Sequence, residues 1–562
     1  MNTSQSYLGA NWISIHTENN DDRIFELAQK NNISLNLARL LSNRKIKKIS
    51  NFINSKLKDN ISLTDISQLS QIDDVLGFFE NVKKEKKVSI FSDYDVDGAC
   101  AAAICQKFLK QYDINVKVYI PNRLNEGYGL NQNACEVLLE HSSNIIVLDC
   151  GSNNYKEQEL IANRKGKLLI IDHHECENFY HDIILINPKT LIDKSSLNDL
   201  CATALTFLVL FYVVQKEVFE KKDILQYLDL VAMATICDLV PLTSLNRTFV
   251  KQGLKLINSE NPNKGIQTLI NQSKIKQKIT EYHLGYILGP RINAGGRMGE
   301  SLLGFHLLSS ENIHQALQYA QIIESHNQNR QKLQTSIVQS IDINESNDAN
   351  INFFYDATWH IGIVGIIAGR LMRINQKPTF VMTFNNGVIV GSGRSMGEKN
   401  IGLLMMNAVE KGILIKGGGH HKACGFTLKQ ENLNQFKEYL LSETFDLVIE
   451  NNKYYESILD INVINDQLLN DLDVLSPYGQ LNPEPVFKLE KVKINILQIF
   501  KEKHAKLKFS DNLDFSCEGM FFDINAQELK SYLSSKVDFD CYFKVKKDTY
   551  SSNTIIHLED IH

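Results

Sequence analysis

The segment Phe91-Ser-Asp-Tyr-Asp-Val-Asp-Gly98 sets three carboxylates, Asp93, Asp95 and Asp97, at alternate positions directly after an apolar run. Aspartate is disfavoured inside strands, so this spacing marks a loop with a chemical task. A calcium loop of the EF-hand kind shares Asp93, Asp95, Asp97 and Gly98, but it needs Glu at its twelfth position. Ile104 stands there, which excludes that chemistry. Two further apolar runs end in similar groups. Residues 145–148 lead into Asp149, and residues 168–171 into Asp172-His173-His174. Asp238 follows another apolar stretch, where an unpaired carboxylate would be costly. One aspartate after a strand is as often a helix cap; the number of such groups is what argues for a cluster. Oxygen and imidazole donors suit Mn²⁺ or Mg²⁺ rather than thiolate zinc. Four or more carboxylates suffice for two divalent ions ~3.5–4 Å apart, an arrangement that activates water for phosphoester hydrolysis.

The elements needed to gather these groups are legible around them. Residues 88–91, 116–120, 145–148 and 168–171 read as strands; 99–112, 131–141 and 155–163 read as helices. That alternation predicts a parallel sheet covered on both faces, and open α/β sheets bind ligands at the C-terminal ends of their strands. The fold class is therefore α/β: a parallel-sheet domain over 81–270, preceded by a helical segment over 1–80. A connecting region with a long helix follows over 271–348, its polar helical pattern running through 300–345. A smaller α/β domain occupies 349–445. Short strand-like segments at 491–499, 505–509, 515–521 and 539–545 predict a small β-barrel over 455–562.

Composition sets outer limits. The chain has 562 residues, 60 Lys and Arg against 65 Asp and Glu, and a formal charge of −5. Apolar residues at 43% and charged residues at 22% are globular values and exclude a disordered or fibrous chain. The net charge gives no basic signature for nucleic acid, although a local groove needs only a local excess. The longest apolar run, 201–214, is short of the ~17 residues that span a bilayer and reads as a buried helix. No secretory signal is visible, and the ten scattered cysteines form no C-x-x-C pair, so a reduced cytoplasmic protein is expected.

In order along the chain, Asp-Tyr-Asp-Val-Asp-Gly, Asp149, Asp172-His173-His174 and Asp238 resemble the DHH phosphoesterase superfamily. Further segments are similar to its RecJ family of single-strand-specific exonucleases: Pro121-Asn-Arg-Leu-Asn-Glu-Gly-Tyr-Gly-Leu130, Gly289-Pro-Arg-Ile-Asn-Ala-Gly-Gly-Arg-Met298 and the Trp359-His-Ile-Gly-Ile-Val-Gly helix start. Gly391-Ser-Gly-Arg-Ser395 and Gly417-Gly-Gly-His-His421 resemble a DHHA1 substrate-binding module, and Ser476-Pro-Tyr-Gly479 the approach to an OB-fold. The resemblance implies a metal-dependent exonuclease degrading single-stranded DNA from its 5′ end to mononucleotides, with Mn²⁺ or Mg²⁺ as two-ion cofactor. It also implies service in recombination and mismatch repair beside a single-strand-binding protein and helicases, as a monomer.

The same resemblance implies residue roles. One ion falls to Asp93, Asp95 and Asp149; the other to Asp97, Asp149, His173 and Asp238. His174 would face the scissile phosphate, and Asp172 would orient the histidines. Ser392 and Arg394, with Arg123, would take a 5′-phosphate, while Arg291, Asn293 and Arg297 line the path and His420 adds a contact. Simpler alternatives stay open. Gly391–Ser395 also reads as a hairpin turn, 417–420 as a helix cap and turn, and Arg291 as the partner of a core carboxylate. Lys488, Lys491, Lys493, Lys501, Lys503, Lys506 and Lys508, with Phe487, Phe500 and Phe509, suit strand binding, but equally a solvated face over core aromatics. Three departures from the family stand out: Phe91 in place of a common His, Leu200-Cys-Ala-Thr-Ala-Leu205 without glycines, and Gln480-Leu481 in place of a second glycine. The competing functions are a small-substrate phosphodiesterase for short oligonucleotides or cyclic dinucleotides, and a non-catalytic strand-binding subunit.

Overall fold

The computed structural model describes residues 6–15, 21–176, 178–341, 350–445, 451–548 and 553–562. It divides into two compact units, one of residues 61–240 and 252–449, the other of residues 1–60, 241–251 and 450–562.

The larger unit opens with a parallel sheet of β1 (Lys87–Ser92), β2 (Asn115–Tyr119), β3 (Asn144–Leu148), β4 (Lys167–Ile171) and β5 (Ile184–Ile186), in the order β2-β1-β3-β4-β5. Val, Ile and Leu dominate these strands, and β3 is buried at every position, as a sheet covered on both faces requires. Helices α1 (Val96–Lys110), α2 (Gln132–His141) and α3 (Tyr155–Asn163) connect them. The strand order reverses between β1 and β3, and the crevice outside the ends of such strands is where doubly wound sheets bind ligands. Two apolar helices, α4 (Ala202–Gln215) and α5 (Leu228–Cys237), pack on α1. The run at 201–214 is thus the buried helix expected of it. No helix among the described residues is long and apolar enough to cross a membrane.

The unit continues through a π-helical stretch at His283–Leu288 into α6 (Gly289–Arg297). The polar pattern at 300–345 proves to be two helices rather than one. Leu303–Ser309 ends at Ser310, and Asn312 then caps the 28-residue α7 (Ile313–Ser340), accepting from the Gln315 N–H. Residues 342–345 of that pattern lie outside the described residues. A mixed sheet follows, built from β6 (Asn352–Tyr355), β7 (Thr379–Asn385), β8 (Val388–Arg394), β9 (Lys416–His420) and β10 (Ala423–Leu428), in the order β9-β10-β8-β7-β6. Helix α8 (Val364–Asn375) lies between β6 and β7, and α9 (Ile401–Glu410) packs on β9.

Both glycine-rich motifs are strands of this sheet rather than loops. The glycines of Gly391-Ser-Gly393 answer to the core. A Cβ at 391 would sit 2.4 Å from the Phe426 ring, and one at 393 would sit 2.6 Å from Cys424 Sγ and 2.8 Å from Phe380. Alternation then sends Ser392 and Arg394 to the opposite face. The helix-cap reading of 417–420 and the turn reading of 391–395 are both corrected by this pairing.

The smaller unit holds a closed barrel of β11 (Phe487–Phe500), β12 (His504–Ser510), β13 (Ser516–Phe521), β14 (Phe539–Lys547) and β15 (Thr554–Ile561), ordered β11-β12-β13-β15-β14 and closed by β11 against β14. Four of the strands match the expected ones. The fifth was hidden because His557, Glu559 and Asp560 interrupt its apolar pattern. Phe487 and Phe509 are buried in the barrel core, so they cannot stack on bases; Phe500 stays partly exposed. Lys488 pairs with Glu490 and Asp540 at 2.8 Å each, and Lys506 with Glu518 at 2.7 Å, which removes two lysines from the expected basic face. Leu481 adopts φ 57°, the left-handed region that a glycine would occupy at no cost. Leu37, Leu40 and Leu41, from the N-terminal helix Leu35–Asn43, join the core of the barrel. The strand Asn11–Ser14 pairs in parallel with Asn452–Tyr455.

Candidate active site

The acidic loop is built as the start of α1. Asp95 Oδ1 accepts the N–H groups of Asp97 and Gly98 at 2.9 and 3.1 Å, a helix N-cap. Gly98 is forced by crowding, since a Cβ there would lie 2.3 Å from the Asp93 carbonyl oxygen. Asp97, in the first turn of α1, reaches across to the N-terminus of α4. Its two oxygens accept the Thr203 and Ala202 N–H groups at 2.8 Å each, and its carbonyl accepts the Thr203 hydroxyl. This is the task of the glycine-free segment at 200–205. Asp149 follows β3 with φ 61°, a left-handed conformation that aspartate tolerates better than most residues. Asp238 forms the C-cap of α5.

These groups converge. His173 Nε2 lies 3.3 Å from Asp149 Oδ1, 3.6 Å from Asp238 Oδ2 and 3.7 Å from Asp97 Oδ2. Asp93, Asp95 and Asp149 form a second set, with one oxygen of each within 4.8 Å of the others; Asp149 also groups with His173 and His174. Phe91, buried against Tyr119 on the other side of β1, offers no ligand atom and leaves that part to Asp93.

So many carboxylates in a buried space repel one another. Burial, and then Asp95, push the Asp93 carboxyl well above its usual range. Burial followed by Asp97 does the same to Asp149 and lifts Asp238 to about 8. Burial, helped by His174 and Lys189, lowers the His173 imidazole against the pull of Asp97 and Asp172. Asp93 Oδ1 is buried and lacks a hydrogen-bond partner among the described residues. Oxygen-rich donors with one imidazole, mutual repulsion and an orphaned carboxylate oxygen are what divalent cations such as Mn²⁺ or Mg²⁺ satisfy.

Asp172 stands apart from both sets. Its Oδ1 accepts His174 Nδ1 at 2.7 Å and the N–H groups of His173 and His174, while Oδ2 accepts the Ser152 N–H. Burial, the largest single influence, would raise this carboxyl, but the bond and charge of His174 together with the Ser152 bonds outweigh it and the net shift is downward. For His174 burial is the largest single influence and works downward, but the Asp172 bond and the charges of Asp172, Asp238 and Asp93 together lift the imidazole to about 9. The Tyr128 hydroxyl lies 3.3 Å from His174 Nε2. The sequence had placed Tyr128 in a family motif without giving it a role.

A second cluster carries only positive charge. Ser392 and Arg394 lie against the first turn of α8: a Cβ on Gly365 would sit 3.2 Å from Ser392 Oγ and 3.3 Å from Arg394 Nη2. Arg394 also donates to Ser392 Oγ at 2.9 Å. Arg123 stacks on Tyr94 at 4.9 Å, and Arg297 donates to the Gly362 carbonyl. Burial, and then Arg123, Arg330 and Arg394, draw the Arg297 guanidinium down to about 9. Gathered guanidinium groups, a serine hydroxyl and a helix N-terminus are the chemistry that suits an anion. Arg330 of α7 belongs to the cluster, and the Gln- and Asn-rich pattern of that helix gave no sign of this. Arg291 is spent elsewhere: its Nε donates to Glu324 at 2.8 Å and another nitrogen to the Ile287 carbonyl, the core pairing left open from sequence. Asn293 sits partly buried on α6, and His420 is exposed at the end of edge strand β9.

Comparison with known proteins agrees with this layout. The DHH family, N-terminal domain, matches residues 87–235; the DHHA1 domain matches 348–444 and the RecJ OB domain 455–560. The single-stranded-DNA-specific exonuclease RecJ of Salmonella typhimurium is 27% identical over 475 residues, covering 78% of this chain and 81% of that protein. RecJ of Bacillus subtilis is 29% identical over 456 residues, covering 78% of this chain but 56% of that longer protein. The crystal structure of RecJ from Thermus thermophilus in complex with Mn²⁺ aligns with a TM-score of 0.82 at 19% identity, covering 97% of this chain and 78% of that one.

Proposed function

From a chain that belongs to the RecJ family, joining DHH, DHHA1 and RecJ OB domains, we propose an exonuclease that hydrolyses single-stranded DNA from the 5′ end to 5′-mononucleotides. The observation that carries this reading is the pairing of an acidic, histidine-bearing pocket with an all-cationic cluster in one unit. One suits cations at a scissile phosphate, the other a terminal phosphate with no strand beyond it.

Asp93, Asp95 and Asp149 would hold one divalent ion, and Asp97, Asp149, His173 and Asp238 the other. Such ions supply Lewis acidity and a water nucleophile at neutral pH. The remaining work falls to the chain. Asp172 fixes the His174 ring through Nδ1, which leaves Nε2 to donate toward a phosphoryl oxygen where charge develops. Ser392, Arg394, Arg123 and Arg297 would grip the 5′-phosphate and so set polarity and register. His420 and Asn293 would line the strand, and the barrel would by itself bind single-stranded DNA through its exposed lysines and Phe500. The same reading places the protein in the cytoplasm as a monomer, in recombination and repair, beside a single-strand-binding protein and helicases.

The test is a strand labelled at its 5′ or 3′ end and incubated with Mn²⁺ or Mg²⁺. Early release of 5′ label as mononucleotide is expected. Release from the 3′ end first, or equal attack on duplex, would overturn polarity and strand choice. Turnover confined to dinucleotides would instead mark a small-substrate phosphodiesterase.

A further inference from the structure

Tyr282 and Tyr286 stand one helical turn apart with their rings stacked at 5.2 Å and 28°. They are 58% and 74% exposed. Tyr282 also meets the His283 ring edge-on at 5.7 Å, but more than half of each tyrosine is left in water, which a core role does not need. Tyr286 lies within the π-helical stretch His283–Leu288, and Tyr282 just before it. Such irregular turns are frequent at functional sites.

This stretch is fixed to the candidate active site from two sides. It packs on α5, whose C-cap is Asp238: Cys237 Sγ lies 3.6 Å from the Leu284 carbonyl, and a Cβ on Gly285 would lie 3.3 Å from Ile236. It also runs directly into α6, which ends at Arg297 in the cationic cluster. At 1.5 Å per residue, Tyr286 and Arg297 are roughly 16 Å apart along that axis. A strand whose 5′-phosphate sits at Arg297 and which runs back along this axis would bring its bases abreast of the tyrosines a few nucleotides downstream.

The charge beside the rings suits that occupant. Lys274, Lys276 and Lys278 are all exposed, and between residues 273 and 290 only Glu281 opposes them. The lysine loop is pinned to the tyrosine helix, because the Gln277 amide lies 3.0 Å from His283 Nε2 and the Thr280 N–H donates to His283 Nδ1 at 3.1 Å. Aromatic faces beside fixed cations are the chemistry of sequence-independent single-strand binding.

We propose that Tyr282 and Tyr286 form a base-stacking platform for the single strand downstream of the cleaved bond, with Lys274, Lys276 and Lys278 holding its phosphates. The proposal rests on the exonuclease reading above and adds a site to it.

The test uses the full chain in chelator and a 5′-phosphorylated strand of about 20 nucleotides, longer than the 4–16 that one binding module covers, carrying 2-aminopurine near its 5′ end. Y282A/Y286A should weaken this strand at least ~5-fold per lost ring and abolish the quenching of the fluorophore. Y282F/Y286F should retain both. Melting at the wild-type temperature shows that the variant is folded. K274E/K276E/K278E should lower the salt slope of binding by about 2. Equal affinity and quenching in wild type and Y282A/Y286A overturn the platform and leave the exonuclease reading standing. A wild-type chain that binds the strand but hydrolyses none in Mn²⁺ overturns the exonuclease reading and leaves the platform. A wild-type chain that binds no strand overturns both.

Discussion

Asp172 Oδ1 holds His174 Nδ1 at 2.7 Å, while the other oxygen of Asp172 is held by the Ser152 N–H. The same Oδ1 accepts the His173 N–H at 2.7 Å, so the aspartate acts by holding the backbone of one candidate ligand and the ring of His174 rather than by facing an ion itself. Asp172→Asn keeps the shape but replaces one acceptor by a donor and frees the His174 tautomer. We expect kcat on a labelled strand to fall by roughly 10–100-fold, the usual effect of removing an orienting partner, with KM nearly unchanged. A rise in KM at constant kcat would count against this assignment.

His173→Ala should abolish turnover while leaving strand binding largely intact, because its Nε2 faces only carboxylates. Asp97→Ala should abolish turnover too, but with a structural cost, since Asp97 caps α4 through two backbone N–H groups. Loss of such a cap costs about 1–2 kcal/mol. Urea midpoints should therefore separate the variants, with Asp97→Ala less stable than His173→Ala.

Divalent ions should stabilise the fold as well as support hydrolysis. At 100 times its dissociation constant an ion adds ~2.7 kcal/mol per site. Thermal scans with Mn²⁺ and with chelator should differ accordingly, and the difference should vanish in a variant lacking Asp93 and Asp149. An unchanged melting temperature would argue against bound ions.

Removing Arg394 should cost the preference for a 5′-phosphorylated over a 5′-hydroxyl strand. Hydrogen bonds to charged groups are worth about 1.5–3 kcal/mol, or roughly 10–150-fold in relative kcat/KM. Arg291→Ala, by contrast, breaks an ion pair with Glu324 and should alter stability more than end preference.

Asp229 offers a pH prediction away from the candidate ligands. It is buried, and its oxygens accept the Leu230 and Asn263 N–H groups. Burial lifts its carboxyl from the ordinary 3.8 to about 6, with those bonds working against the rise. A folded value above the unfolded one means stability is full below pH ~4 and is lost as pH rises through 6. Asp229→Asn should lose that dependence. The stability difference between wild type and variant should then shift against wild type between pH 4 and 6, by up to ~3 kcal/mol at 1.36 kcal/mol per unit.

The sheet and its acidic strand ends were legible because parallel strands buried on both faces leave continuous apolar runs, and Asp149 and Asp172 break those runs abruptly. The glycine motifs misled for a physical reason. A glycine that admits a core ring, as Gly391 does for Phe426, is written the same way as one that admits a phosphate. Tyr128 and Arg330 reach their clusters only through the tertiary fold. Arg291 could be decided only by seeing Glu324, which lies 33 positions away on another helix.

The smaller unit joins distant parts of the chain. The Ser6 hydroxyl donates to Asp560 at 2.6 Å, across 554 residues of sequence, and Trp12 Nε1 donates to the same carboxylate. At about 5–20 residues per second, a ribosome needs roughly half a minute to two minutes between making one partner and the other. During that interval the strand Asn11–Ser14 and the apolar face of Leu35–Asn43 have no completed barrel to dock on. Newborn chains stalled before Asp560 should therefore display a folded larger unit with a sticky leading segment, recognisable as a preferred site for holdase chaperones or proteases.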